Sequence, residues 1–184
     1  LGDVDGDGDL DLVLGERLGS PVGWGNVGSP TAPDFSVSDK ARPVYMGAGQ
    51  ALAFAPALGD VDGDGDLDLV LGAASGGLYL LRNVGGASGA AFTTVKAEYD
   101  PFDGLAVGGY SMPALGDVDG DGDLDAFVGA ADGSVAYWEN AGTRHAPAYE
   151  ARAGLANPLR ALDVGAYAAP ALGDLDGDGD LDLV

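Results

Sequence analysis

An acidic 13-residue string recurs four times along this chain, at a constant step of 57 residues with no insertion between copies. It reads LGDVDGDGDLDLV from Leu1 and from Leu58, LGDVDGDGDLDAF from Leu115 and LGDLDGDGDLDLV from Leu172. A chain laid out in this way is a repeat protein, which excludes most single-copy enzyme folds before any side chain is considered. The 184 residues divide into repeat 1 (1–57), repeat 2 (58–114), repeat 3 (115–171) and the start of repeat 4 (172–184).

The charge follows the same period. The chain carries 30 acidic residues against 8 basic ones, a formal net charge of -22, and each acidic string holds five of the acids. The remainder therefore holds ten acids against eight bases, so the acidity is local. A diffuse acidic excess with few apolar residues would indicate disorder, but 46% of these residues are hydrophobic. Charge gathered at four places calls for a cation at each.

Other classes drop out on the same numbers. Eight scattered Lys and Arg make no basic stripe for phosphates, so no nucleic-acid partner is expected. No apolar run approaches the roughly 20 residues of a membrane span. Cysteine is absent, which removes disulfide scaffolds and thiol chemistry and leaves the redox compartment open. No Asn-x-Ser/Thr sequon is present, and because Leu1 falls inside a motif, a longer or processed parent chain is expected.

The period also reaches outside the acidic string. Trp24, Leu81 and Trp138 stand in register, as do Asn26, Asn83 and Asn140, then Phe35, Phe92 and Tyr149, then Pro56, Pro113 and Pro170. Within repeat 2, Leu67 to Leu71 is a short apolar run bounded by Gly72 and reads as a buried strand. Ser75-Gly76-Gly77 is a turn signal, and Leu78 to Arg82 completes a hairpin. After the Gly-rich stretch Gly85 to Gly89, Ala91 to Tyr99 reads as a third strand. A fourth runs from Ser111 to Leu115, where Pro113 points to an edge or a strand end. Four short strands per unit is the count of one propeller blade, so the expected fold class is all-β, with β-propeller blades of four antiparallel strands. Leu155, Leu159 and Leu162 have helical spacing, but Pro158 interrupts them and argues against a helix.

The first acidic loop, Asp3-Val4-Asp5-Gly6-Asp7-Gly8-Asp9-Leu10-Asp11, fits an oxygen cage for a hard cation. Carboxylates occupy positions 1, 3, 5 and 9, with a glycine at 6 and a backbone carbonyl at 7. Asp3, Asp5, Asp7 and Asp11 supply side chains in this reading, and Asp9 its backbone oxygen. The later loops repeat the set as Asp60, Asp62, Asp64, Asp66 and Asp68, then Asp117, Asp119, Asp121, Asp123 and Asp125, then Asp174, Asp176, Asp178, Asp180 and Asp182. Ca²⁺ is favoured, since Mg²⁺ prefers a tight octahedron with retained waters and Zn²⁺ lacks its usual His and Cys. A solvated acidic turn is the alternative, but five like charges in nine residues repel one another without a counter-ion. An EF-hand is excluded because its bidentate Glu is replaced by Leu14, Leu71 and Val128.

The DxDxDGxxD loop leads into an apolar strand. Downstream stand Trp24-Gly25-Asn26-Val27-Gly28, Leu81-Arg82-Asn83-Val84-Gly85 and Trp138-Glu139-Asn140-Ala141-Gly142. This combination resembles the FG-GAP/VCBS repeat of integrin-alpha-like β-propellers, over all three full units and the partial fourth. The resemblance implies a calcium-binding propeller blade, extracellular or at the cell surface, used for adhesion, carbohydrate binding or as a scaffold. It also implies about seven blades, whereas three units and a fraction are present here. Three blades do not close a ring, so further repeats or subunits are expected to complete the propeller and cover its open edges.

No catalytic constellation is legible, and the protein is expected not to be an enzyme. His145 is the sole histidine, expected to be solvated beside Arg144, and neither GxSxG nor GK[ST] occurs. Trp24, Trp138, Tyr79 and Tyr137 could stack on sugars, although the register of the two Trp favours blade-to-blade packing. Tyr45, Tyr110 and Tyr167 precede acidic loops and are the better candidates for an exposed surface. The leading expectation is a calcium-stabilised extracellular module for binding, adhesion or assembly. A surface-filament subunit, a carbohydrate-binding lectin and the non-catalytic scaffold of a polysaccharide-degrading enzyme are the alternatives, with a glycan or protein as ligand.

Overall fold

The structure is a computed structural model that describes residues 1–16, 21–35, 42–43, 53–85 and 89–184. Its chain builds successive antiparallel sheets. The first comprises β1 (Leu12–Leu14), β2 (Val22–Trp24) and β3 (Arg42–Pro43). The second runs β4 (Ala53–Gly59), β5 (Asp68–Ala73), β6 (Leu78–Asn83) and β7 (Phe92–Thr94) in that spatial order. The third repeats it with β8 (Met112–Gly116), β9 (Asp125–Gly129), β10 (Val135–Asn140) and β11 (Tyr149–Arg152). A last pair, β12 (Leu172–Gly173) and β13 (Asp182–Leu183), opens a further sheet. The molecule is all-β, and its two complete sheets are four-stranded meanders of the propeller-blade kind.

Each acidic loop joins the first two strands of one sheet, from Gly59 to Asp68 and from Gly116 to Asp125. The strand before the loop therefore belongs with the strand after it. Pro113 is accommodated because β8 is an edge strand, paired only with β9. The hairpin at Ser75-Gly76-Gly77 closes with Gly76 N–H donating to the Ala73 carbonyl at 3.0 Å.

One sequence expectation is corrected. The third strand ends at Thr94, and a 3₁₀ turn covers Ala97–Tyr99, because β7 pairs with β6 only as far back as Leu81. The leucines at 155, 159 and 162 form no α-helix, in keeping with Pro158: a single 3₁₀ turn spans Gly154–Ala156, and Leu155 is exposed. Tyr45 lies outside the described residues.

The core lies between sheets, as strand alternation dictates. Leu69, Leu71 and Leu81 of the second sheet pack with Val13 of the first. Val70 and Leu80 face the opposite way, towards Ala126, Val128 and Trp138 of the third. Phe127, Val135 and Tyr137 in turn pack with Ala168, Leu172 and Leu183. Trp138 and Tyr137 are thus buried packing residues, whereas Tyr110 and Tyr167 are exposed and meet edge to face at 5.7 Å.

Asp100 follows the 3₁₀ turn and accepts the Phe102 and Leu80 N–H groups. Burial raises its carboxyl pKa above 3.8, against the pull of those two amides. The folded state therefore holds a proton that the unfolded chain has lost, so this group stabilises at low pH and its contribution fades as pH rises through the raised value. Asn157 fills the same register, its Oδ1 accepting the Leu159 N–H and its Nδ2 donating to the Val135 carbonyl. Asp100→Asn keeps one acceptor for the Phe102 N–H but turns a donor towards the Leu80 N–H, so the variant should melt below the parent near pH 4, with the gap narrowing as pH rises and Asp100 of the parent ionises. Paired thermal melts across that range check it, and a constant gap would contradict it.

Candidate metal centre

Two glycines in each loop take left-handed backbone: Gly6, Gly63, Gly120 and Gly177 at φ 74 to 81°, and Gly8, Gly65, Gly122 and Gly179 at φ 94 to 98°. That conformation is costly for residues with a Cβ, and it curls the loop so that carboxylates spaced two apart converge. The first aspartate of the loop holds the curl. Asp3 Oδ1 accepts the Gly6 N–H at 2.8 Å and its Oδ2 accepts the Gly8 N–H at 3.0 Å. Asp117 and Asp174 make the same pair of bonds.

Three carboxylates meet in every loop. Asp3, Asp5 and Asp11 place ligand oxygens within 4.8 Å of one another, and so do Asp60, Asp62 and Asp68, then Asp117, Asp119 and Asp121, then Asp174, Asp176 and Asp182. The other expected residues stand outside these groups. Asp7, Asp64 and Asp178 turn Oδ1 onto the N–H of Asp9, Asp66 and Asp180. Asp121 makes the same bond to Asp123 while remaining in its group. In the third loop Asp125 is displaced from the group, and its Oδ2 accepts the Tyr137 hydroxyl at 3.2 Å.

The aspartate closing each loop ties the loop to its own sheet. Asp68 Oδ1 accepts the Asn83 N–H at 2.9 Å and its Oδ2 accepts the Val61 N–H at 3.0 Å. Asp11 binds Asn26 and Val4, and Asp125 binds Asn140 and Val118, in the same way. Burial, then the charges of Asp62 and Asp64, push the Asp68 carboxyl up to about 6 in the face of those amide bonds. Without a cation, the folded chain loses stability as pH rises from 3.8 towards 6 and this carboxyl ionises.

The in-register asparagines, for which sequence reading found no role, complete this bracket. Asn83 Oδ1 accepts the Gly85 and Ala91 N–H groups, and its Nδ2 donates at 3.1 Å to the Val4 carbonyl in the preceding acidic loop. Asn26 and Asn140 make the same two acceptor bonds. Sequence reading also missed a basic contact. Arg144 pairs with Asp60, Arg82 pairs with Asp62, and His145 Nδ1 lies 3.2 Å from the Asp62 carbonyl. His145 is exposed, as expected for a solvated residue, but it sits against the second loop.

Two oxygens test whether the residues fit a cation. Asp60 Oδ1 and Asp123 Oδ1 are buried and accept no hydrogen bond. A buried carboxylate oxygen without a donor is costly unless a cation meets it. Asp123 also lies beside Asp121 and Asp125, and burial first, then those charges, raise its carboxyl pKa. An all-carboxylate donor set of this kind suits a hard cation.

Comparison with known families agrees with this geometry. The FG-GAP-like repeat model matches residues 3–71, 60–128 and 117–184, each match running from one acidic loop to the next. The chain belongs to the FG-GAP-like repeat family. No curated protein and no solved structure matched the chain. As an FG-GAP-repeat protein it is a β-propeller-type binding module whose acidic clusters can hold a metal ion. Among the described residues no helix is long and apolar enough to cross a membrane.

Proposed function

We propose that this chain is a calcium-stabilised, extracellular, non-enzymatic propeller segment that presents a binding or adhesion surface. The convergence of three carboxylates in each of four loops carries the reading. Calcium would be held by the Asp3, Asp60, Asp117 and Asp174 groups, and would supply the positive charge that lets these carboxylates stay ionised side by side. Asp11, Asp68 and Asp125 connect the first three loops to Asn26, just past β2, and to Asn83 and Asn140 at the ends of β6 and β10, so a loop fixed by an ion also fixes its sheet. The extracellular setting is supported by the family resemblance and by calcium modules outside cells, whose Kd is on the order of 10⁻⁴ to 10⁻³ M.

Asp119→Asn tests the proposal with little disturbance to the loop, since an amide oxygen can still accept the Asp121 N–H. In saturating calcium the variant should melt several degrees below the parent, because one site is weakened. In chelator the two should melt together, or the variant higher through reduced repulsion. An equal deficit in both conditions would assign Asp119 a purely structural role and contradict the proposal.

A further inference from the structure

The second acidic loop carries two arginines of its own. Arg82 Nη1 lies 3.0 Å from Asp62 Oδ2, and Arg144 Nη2 lies 2.5 Å from Asp60 Oδ2. Both arginines are half-exposed, while their aspartates are mostly covered. Arg82 belongs to β6 of the same sheet. Arg144 comes from the next repeat, at the tip of a turn that Thr143 and Ala146 close with N–H to carbonyl bonds of 3.2 and 2.9 Å. That tip is seated on the loop: His145 Nδ1 lies 3.2 Å from the Asp62 carbonyl, and a Cβ on Gly63 would lie 2.8 Å from Arg144 Cγ.

Neither arginine follows the 57-residue period. The register of Arg82 holds Gly25 and Glu139, and that of Arg144 holds Pro30 and Ala87. Glu139 is engaged by Arg152, at 2.8 Å, so this strand brings no positive charge to the third loop. The first aspartate of the second loop is bonded differently as well. Asp3, Asp117 and Asp174 each take a glycine N–H on either oxygen. Asp60 Oδ2 accepts the Gly65 N–H and Arg144 together, and its Oδ1 is left buried without a hydrogen bond. Asp60 and Asp62 are two of the three carboxylates that converge in this loop. A guanidinium on one oxygen of such a carboxylate attracts its charge and repels any cation that the other oxygen meets.

From this arrangement we propose that Arg82 and Arg144 are built-in counter-ions of the second loop and lower its calcium affinity. They offset the repulsion among Asp60, Asp62 and Asp68 while the loop is empty, and they oppose the ion as it enters. Calcium entry weakens both ion pairs, so occupancy of this loop is coupled to the seating of the Arg144 turn, and hence of repeat 3 on repeat 2. The inference rests on the calcium reading above and names what regulates one of its sites.

Calcium titration of ¹⁵N-labelled protein tests it, followed at the amide signals of Gly63 and Gly120, because each glycine reports on its own loop. The double variant Arg82→Gln/Arg144→Gln should lower the free calcium at half-saturation for Gly63 by roughly three- to tenfold, the scale of two half-exposed ion pairs, and leave Gly120 unmoved. Arg82→Lys/Arg144→Lys keeps both charges and should titrate close to the parent. Thermal melts give a second readout. The glutamine variant should melt below the parent in EDTA, where the arginines serve as the loop's counter-ions, and the deficit should shrink in saturating calcium. An unchanged or raised midpoint at Gly63 would overturn the proposal, and so would an equal deficit in both conditions, which would make the arginines purely structural. If Gly120 responds to calcium and Gly63 ignores the arginines, this inference alone fails. If neither glycine responds, the calcium reading fails and takes the inference with it.

Discussion

Chelating calcium should lower the melting temperature of this protein by at least about 10 °C. At about 10 mM calcium, on the order of 100 times a Kd of 10⁻⁴ M, each occupied site adds about 2.7 kcal/mol to the folded state. For a chain of this length 1 kcal/mol moves the melting temperature by about 2–4 °C, so two sites already account for the shift. The physical origin is the loop itself. Three carboxylates within 4.8 Å repel one another in the empty loop, and Asp68 has its pKa raised by burial and by its acidic neighbours. A cation removes both costs. Differential scanning calorimetry in calcium and in EDTA measures the effect, with magnesium as a control that should restore little of it. A melt that ignores EDTA would show that hydrogen bonds alone hold the loops.

The second large effect is expected at Asn83. Its side chain is buried, takes two backbone N–H groups on Oδ1 and gives one bond to Val4 in the neighbouring repeat. Asn83→Ala would strand the Gly85 and Ala91 amides and the Val4 carbonyl at once. These groups are only partly buried, so water can meet some of them, and a loss of about 1–3 kcal/mol is expected. Val84→Ala next to it alters an exposed side chain and should stay within about 0.5 kcal/mol. Urea denaturation of the two variants beside the parent measures both, and an Asn83→Ala chain as stable as Val84→Ala would contradict the bracket.

How much of this was legible in the sequence depended on how local the signal was. A short apolar run bounded by Gly72 and the Gly-Gly turn placed β5 and β6, and the aspartate spacing placed the four loops. The fixed step of 57 brought Trp24, Leu81 and Trp138 into one alignment, and the structure buries Leu81 and Trp138 between sheets. The reach of the third strand differs because Val95 and the 3₁₀ turn at Ala97–Tyr99 look extended in composition, and the chain turns away from β6 at Leu81 although β6 itself runs back to Leu78. The cation groups were read as four carboxylates each, and three converge. Which aspartate turns inward depends on competing partners such as the Tyr137 hydroxyl at Asp125, and no spacing rule contains them. Arg144 and His145 reach a loop more than 80 residues earlier in the chain, through packing of one repeat on another. Asn83 was visible as a periodic residue, but its three bonds involve backbone groups that carry no sequence signature.

The central claim is that each acidic loop is a cation site, and equilibrium dialysis against calcium tests it most directly. The account predicts saturable binding that approaches four calcium ions per chain, with Asp119→Asn reducing the count by one. Weak, non-saturating uptake of the kind given by any acidic surface, unchanged by Asp119→Asn, would contradict it.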